Sequence, residues 1–138
     1  MDELVIDTNV LILANARDDL VDDHNHLRCV LACTLFLRDV ESNGRVHLDS
    51  SRLILAEYTR YCSYSGQPGT GDRFFLWLHN NQANEDRVCW SDISESASRG
   101  FDEFPDVSGL IGFDMDDRKF VATSRACSLH PTVANATD

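Results

Sequence analysis

The segment from Leu4 to Leu13 reads LVIDTNVLIL, so a single aspartate and a Thr-Asn pair interrupt an otherwise apolar run. Removing an ionised carboxylate from water is costly, so the chain is expected to reach a surface or a partner at Asp7. The simplest geometry is a buried parallel strand over residues 4–6 that ends at Asp7 and turns into a helix at Thr8. Asp7 would then lie at the carboxyl edge of a sheet, where open α/β folds bind their ligands.

The rest of the chain alternates between strand-like and helix-like patterns. Strands are predicted over residues 4–6, 46–48, 88–93 and 132–136, and helices over residues 10–16, 24–43, 53–61, 73–80 and 115–129. Residues 94–112 are expected to be mostly irregular, and Ser50 and Ser51 are candidate caps for the third helix. With 138 residues, 43% of them hydrophobic, the chain is expected to form one domain, residues 1–138, with helices on both faces of a parallel sheet.

The charge balance narrows the classes of function. The net charge is −11, from 23 acids against 12 Lys and Arg, and Lys119 is the single lysine. This balance argues against a protein that coats nucleic-acid phosphates with a basic face, but it permits an acidic metal site. The N-terminal residues have no basic region typical of a signal peptide, and no apolar stretch has membrane-spanning length. Five cysteines without a CxxC pair favour a reducing, cytoplasmic setting with no membrane partner.

Four acids from distant parts of the chain are candidates for one site. Asp7 and Asp138 each follow a predicted strand directly, Glu57 lies in the helix after the second strand, and Asp117 lies in the first turn of the late helix. Two carboxylates ~4 Å apart repel by about 4 kcal/mol at an effective dielectric near 20. A hard divalent ion such as Mg²⁺ would resolve this repulsion and would activate water for phosphodiester hydrolysis.

The same residues give the chain a resemblance to a known family. The opening VIDTNVLI (residues 5–12), the helix segment LILAEYTR (53–60), the run DMDDRKFVATS (114–124) and a closing strand that ends in an aspartate resemble the PIN-domain nucleases in the expected order. The resemblance implies a three-layer α/β/α sandwich around a parallel sheet of four or five strands. It also implies Mg²⁺- or Mn²⁺-dependent cleavage of single-stranded RNA, often by the toxin of a bacterial toxin–antitoxin pair.

The resemblance also assigns roles to individual residues. Asp7, Glu57, Asp117 and Asp138 match the family's catalytic, metal-binding acids, while Asn9 and Asp114 match supporting positions. In the family the chain usually continues past the last acid with another helix and strand, whereas this sequence stops at Asp138. Two alternatives follow: either the sequence is cut short after Asp138, or the family's C-terminal elements are missing. An antitoxin protein and a second copy of the chain are the partners that the resemblance suggests besides RNA.

Other readings of the sequence remain open. A non-catalytic PIN-like or receiver-like module would use the same acidic edge to bind a partner through a metal. Cationic residues near the acids, Arg118, Lys119, Arg52 and Arg60, are candidate RNA contacts or ordinary surface charges. The segment over residues 24–33 is read as a helix with core-facing cysteines rather than as a zinc site built from His24, His26, Cys29 and Cys33. The glycine-rich residues 66–71 are read as a flexible connector, because they lack the Lys-Ser/Thr ending of a phosphate-binding loop. Phe74, Phe75 and Trp77 are read as core residues, and Asp114 is read mainly as a helix cap.

Overall fold

The computed structural model describes residues 1–16, 24–105 and 113–136. Two expectations fall outside this part of the chain. One is the solvated turn expected at Asp18, Asp19, Asp22 and Asp23, and the other is the placement of Asp138.

The elements follow the predicted alternation of strands and helices. They are β1 (Asp2–Ile6), α1 (Thr8–Ala14), α2 (His24–Asn43), β2 (Gly44–Asp49), α3 (Leu53–Tyr61), α4 (Thr70–Asn80), β3 (Val88–Ser91), β4 (Glu95–Ser96), β5 (Gly100–Phe101), a 3₁₀ turn (Met115–Asp117), α5 (Arg118–Ala126) and β6 (Thr132–Ala134). The four strands that the sequence predicts for the parallel sheet, and the helices between them, are confirmed. The small antiparallel pair β4–β5 lies where irregular structure was predicted.

The main sheet contains four parallel strands in the order β3-β2-β1-β6. Counted along the chain, this is the order 3-2-1-4 that begins the classic doubly wound sheet, in which the strand order reverses beside β1. A receiver domain instead has the order 2-1-3-4-5, with β1 between the second and third strands. The receiver-like reading was therefore wrong, because here β2 separates β1 from β3.

Helices cover both faces of the sheet. The helices α1, α2 and α4 contact one another, whereas α5 contacts β1, β2 and β6. Crossovers between parallel strands are right-handed, so the connections from β1 to β2 and from β2 to β3 place α1, α2 and α4 on one face of the sheet. The return from β3 to β6 places α5 on the opposite face. The result is an α/β fold compatible with a three-layer sandwich, as predicted.

Apolar burial forms one main core and one satellite. The main core joins the strands to α1, α2 and α4 and includes Phe74 and Phe75, both fully buried as expected, with Trp77 packed against them. The satellite cluster consists of Ile93, Phe101, Phe104 and Ala122, and it fastens the β4–β5 pair to α5. The second cluster therefore packs the end of β5 against α5.

The start of α3 is held by a residue that the sequence analysis did not select. Asp49, the last residue of β2, is fully buried, and its carboxylate accepts hydrogen bonds from the backbone amides of Leu53 (2.8 Å) and Ile54 (2.9 Å). The prediction that Ser50 or Ser51 caps this helix was wrong, since the Ser50 hydroxyl donates to Asp92 instead. Asp49 reaches further because the strand ends directly beneath the helix.

The glycine-rich connector packs closely against α1. A Cβ at Gly71 would lie 2.2 Å from the carbonyl oxygen of Leu11, and one at Gly69 would lie 2.3 Å from the Asn15 side chain. The Asp72 carboxylate accepts hydrogen bonds from the amides of Ser63 (2.7 Å) and Gly69 (3.0 Å), which closes the loop onto α4. The glycines therefore allow α4 to pack closely on α1.

None of the helices in the described part of the chain is both long and apolar enough to cross a membrane.

Replacing Asp49 with alanine is expected to lower the free energy of unfolding by about 2–4 kcal/mol, because two buried amides of α3 would lose a charged acceptor. Asp49→Asn is expected to lose less, since an amide oxygen remains as an acceptor. Urea denaturation followed by circular dichroism measures both changes. Asp86→Ala, at an exposed position, is the matched control. Equal stability of Asp49→Ala and the control would contradict this account of how α3 is held.

Candidate functional site

Asp7 lies where β1 ends, between β2 on one side and β6 on the other. Its side chain is 7% exposed, and its Oδ1 accepts a hydrogen bond from the Asn9 amide at 2.9 Å, which caps α1. The backbone amide of Asp7 donates to the carbonyl of Ala134 in β6 at 2.8 Å. Asp7 therefore occupies the point where the strand order reverses, which is the usual ligand crevice of this topology.

Glu57 comes to the same edge from α3. The Thr8 hydroxyl donates to Glu57 Oε2, and Lys119 Nζ lies 2.8 Å from Glu57 Oε1. Both partners of the Glu57–Lys119 pair are largely shielded, with side-chain exposures of 19% and 12%. Lys119 Nζ also donates to the backbone carbonyl of Asp116, so the ammonium group bridges α3 and the 3₁₀ turn.

Asp117 ends the 3₁₀ turn that leads into α5 and is half-buried. The turn itself begins at Asp114, whose carboxylate accepts a hydrogen bond from the Asp116 amide at 3.0 Å. Asp116 is exposed. The three neighbouring acids thus differ in position: Asp114 is a cap, Asp116 is exposed, and Asp117 turns toward the other site acids.

Asp7, Glu57 and Asp117 act on one another electrostatically. Burial raises the pKa of the Asp7 carboxyl, the Asn9 hydrogen bond lowers it, and the charges of Asp117 and Glu57 raise it further. Burial also raises the pKa of the Asp117 carboxyl, with added repulsion from Asp114 and Glu57. Lys119 opposes the rise at both aspartates. The structure therefore brings together Asp7, Glu57 and Asp117 around one ammonium group.

The carboxylate oxygens of Asp7, Glu57 and Asp117 are of the type that binds a hard divalent cation. In the structure, however, Lys119 occupies this edge and bonds to Glu57. Carboxylates from three separate elements are the ligand type that Mg²⁺ and Mn²⁺ prefer. Among residues 1–16, 24–105 and 113–136, however, no group of three or more His, Cys, Asp or Glu side chains is placed so that it could hold a metal ion. Lys119 supplies the positive charge at this edge.

The remaining predicted residues have different positions. Asn9 is exposed, and it supports the site through its backbone amide rather than its side chain. Arg118 is buried, and its guanidinium donates to the carbonyls of Phe113 and Arg99 and lies 4.4 Å from the centre of the Phe104 ring. This geometry gives Arg118 a structural role, because it joins the start of α5 to the backbone at Phe113 and Arg99. Asp138 lies outside the described residues.

Two residues of the site were not selected from the sequence. Thr8 supplies the hydroxyl that holds Glu57, and the buried Tyr58 donates from its hydroxyl to the carbonyl of Ile6. Tyr58 therefore fastens α3 to the end of β1 beside Asp7. Each of these residues directly follows a predicted acid in the sequence, and this position is the feature by which it could have been found.

The alternative sites raised by the sequence do not form among the described residues. Cys33 is buried in the main core, and Cys29 packs against that core, as expected for core-facing helix cysteines. His24 is exposed at the start of α2. The glycine-rich connector contacts α1 and α4 and follows α3 rather than a strand.

The fold and this edge together define a doubly wound α/β domain with an acidic crevice at its strand-order reversal. Comparison of the chain with protein-family models, with curated proteins and with solved structures finds no match.

Asp7→Asn is expected to raise the melting temperature of the metal-free protein at neutral pH. A raised pKa means that this carboxyl stabilises the fold below its unfolded pKa and that the contribution is lost as the pH rises through the folded pKa. Asparagine removes the charge and keeps an oxygen for the Asn9 amide. The gain should disappear below about pH 4, where both states are protonated. Thermal denaturation across this range in EDTA measures it, and a variant less stable than the parent at neutral pH would refute it.

Lys119→Met is expected to destabilise the metal-free protein by about 1–3 kcal/mol, less than loss of one partner from a fully buried ion pair. The reason is that Glu57 and the two aspartates would lose their shared counterion. Adding Glu57→Gln to this variant should restore part of the loss. Urea denaturation of both single variants and the double variant gives the coupling energy, and strictly additive effects would contradict the pairing.

Proposed function

We propose that this protein is a metal-dependent endoribonuclease of the PIN-like type that hydrolyses phosphodiester bonds of single-stranded RNA. The observation that carries the proposal is the gathering of Asp7, Glu57 and Asp117 at the strand-order reversal, where burial and mutual repulsion raise the pKa of both aspartates. Acids that destabilise one another at a ligand crevice are typical of functional sites rather than of folding.

The residues would divide the work as follows. Asp7, Glu57 and Asp117, with Asp138 as the fourth acid, would hold Mg²⁺ or Mn²⁺. When bound, such an ion supplies an activated water and stabilises charge on the phosphate. Asp7 is kept in place by the Asn9 amide, and Asp114 fixes the turn that presents Asp117. Lys119 holds Glu57 and keeps a positive charge beside the bond to be cleaved.

The biological setting follows from the resemblance alone. We propose cytoplasmic action as the toxin of a toxin–antitoxin pair, with an antitoxin protein and a second copy of the chain as partners. The resemblance rests on the sequence blocks around residues 7, 57 and 117.

A second candidate is a non-catalytic PIN-like module that binds a partner through the same edge. The bridging of Glu57 by Lys119, together with the absence of a three-ligand group in the described part of the chain, favours this candidate. In that case the ammonium group would be a permanent substitute for the metal, and RNA would not be cleaved.

Incubation with labelled single-stranded RNA in Mg²⁺, Mn²⁺ or EDTA separates the two candidates. We expect cleavage with either metal and none in EDTA. Loss of an outer-shell residue alone costs 10- to 100-fold at metal sites, so Asp7→Asn is expected to lower the rate by about 100-fold or more. Asp86→Asn, an exposed change far from the site in sequence, is the matched control. Absence of RNA cleavage with either metal, together with no metal binding by calorimetry, would overturn the nuclease and support the module.

A further inference from the structure

An open groove of about 370 Å³ lies directly beside the acidic crevice. It runs between α3, β5 and the 3₁₀ turn. Its residues include Leu53, Tyr61, Phe101 and Met115, the exposed acid Asp116, and Glu57 and Lys119 of the crevice. The groove is therefore continuous with the proposed reaction centre. Its volume is at the small end of the roughly 300–1,000 Å³ of ligand sites, which fits one nucleotide rather than a helix.

One face of α3 forms a wall of this groove. The residues Leu53, Ala56, Glu57, Arg60 and Tyr61 follow spacings of three and four, so they share a face of the helix. The opposite face carries Ile54, Leu55 and Tyr58, which are buried in the main core. The helix thus divides its two faces between the protein interior and the groove.

The groove presents apolar surface that no described residue covers. Tyr61 is 54% exposed and Met115 is 50% exposed, and they face the groove with the buried Phe101 ring behind. An aromatic ring and a thioether that flank a slot are well suited to the flat faces of an unstacked base.

Arg60 adds a cation to this surface. Its side chain is exposed, and the structure shows no hydrogen bond or ion pair for it with any described residue. Other arginines near the site are engaged, since Arg52 lies over Trp90 and bonds Gln82, and Arg118 donates to backbone carbonyls. Arg60 is therefore a cation available to a phosphate beside the acids.

We propose that this groove is a base-binding subsite, in which an unpaired nucleobase next to the cleaved phosphate stacks on Tyr61 and Met115 while Arg60 contacts the adjoining phosphate. The choice of ligand rests on the proposed nuclease function. The subsite explains how a chain with a net charge of −11 holds RNA: affinity comes from base stacking and one arginine rather than from many phosphate contacts. A paired base cannot enter, so the groove selects single strands.

Fluorescence anisotropy with two ligands tests the subsite. The first is a short labelled single-stranded RNA, and the second is an abasic sugar–phosphate chain of the same length. Binding is measured with Mg²⁺ in the Asp7→Asn background, which suppresses hydrolysis. Loss of one stacking contact is expected to weaken RNA binding by Tyr61→Ala roughly five- to hundred-fold. Tyr61→Phe should retain the affinity because the ring remains.

The controls separate stacking from folding and from charge. Tyr64→Ala removes a tyrosine of equal exposure, 54%, that lies against Phe75 and His79 outside the groove, and it should bind RNA as the parent does. The abasic chain should bind weakly and equally to the Tyr61 variants. Arg60→Gln should weaken both ligands alike and reduce the salt dependence by about one phosphate contact.

The outcomes distinguish this proposal from the nuclease proposal. Parent-like RNA affinity in Tyr61→Ala, or an abasic chain that binds as tightly as RNA, overturns the subsite even if RNA is cleaved. RNA binding that depends on Tyr61, in a protein that cleaves no RNA with Mg²⁺ or Mn²⁺, leaves the subsite standing and overturns the nuclease. Failure of the parent to bind RNA at all overturns the subsite.

Discussion

The repulsion among Asp7, Glu57 and Asp117, offset by Lys119, is the constraint around which the edge of this domain is organised. Three elements that are distant in sequence meet at this point, and each is fixed by contacts that do not involve the charges of these three acids. Tyr58 ties α3 to the end of β1, Asp49 holds the first turn of α3, and the satellite cluster packs β5 against α5, the helix that follows Asp117. The fold therefore provides the free energy that keeps like charges together.

This arrangement explains why the acidic edge is more informative than the overall charge. A solvated acidic surface would leave its carboxylates apart, with ordinary pKa values, whereas burial and proximity raise those of Asp7 and Asp117. Lys119, the single lysine of the chain, lies where the acids need a counterion. At this position the Lys119 ammonium group and a metal ion would compete for Glu57. Lys119 therefore decides between a metal-binding enzyme and an inert relative.

The strand and helix alternation could be predicted because it depends on local periodicity, which is written in the order of residues. The burial of Phe74 and Phe75, the core position of the Cys29–Cys33 helix face and the capping role of Asp114 follow from the same local signals. Local periodicity does not reject a receiver-like topology, because strands and helices alternate in that topology and in this one. Only the observed strand order separates the two. The β4–β5 pair was missed because strands of two residues have no periodicity to detect.

The sequence by itself determined that Asp7 would end a buried strand, because a charge inside an apolar run leaves the chain few other geometries. It also determined the sets of acids and cations from which any site had to be built. Only the tertiary structure decided how they are used: Lys119 bridges Glu57 to the 3₁₀ turn, Arg118 is enclosed by carbonyls, and Arg60 faces an open groove. These roles depend on which elements pack beside α3. The spacing of residues along the chain does not predict such long-range packing.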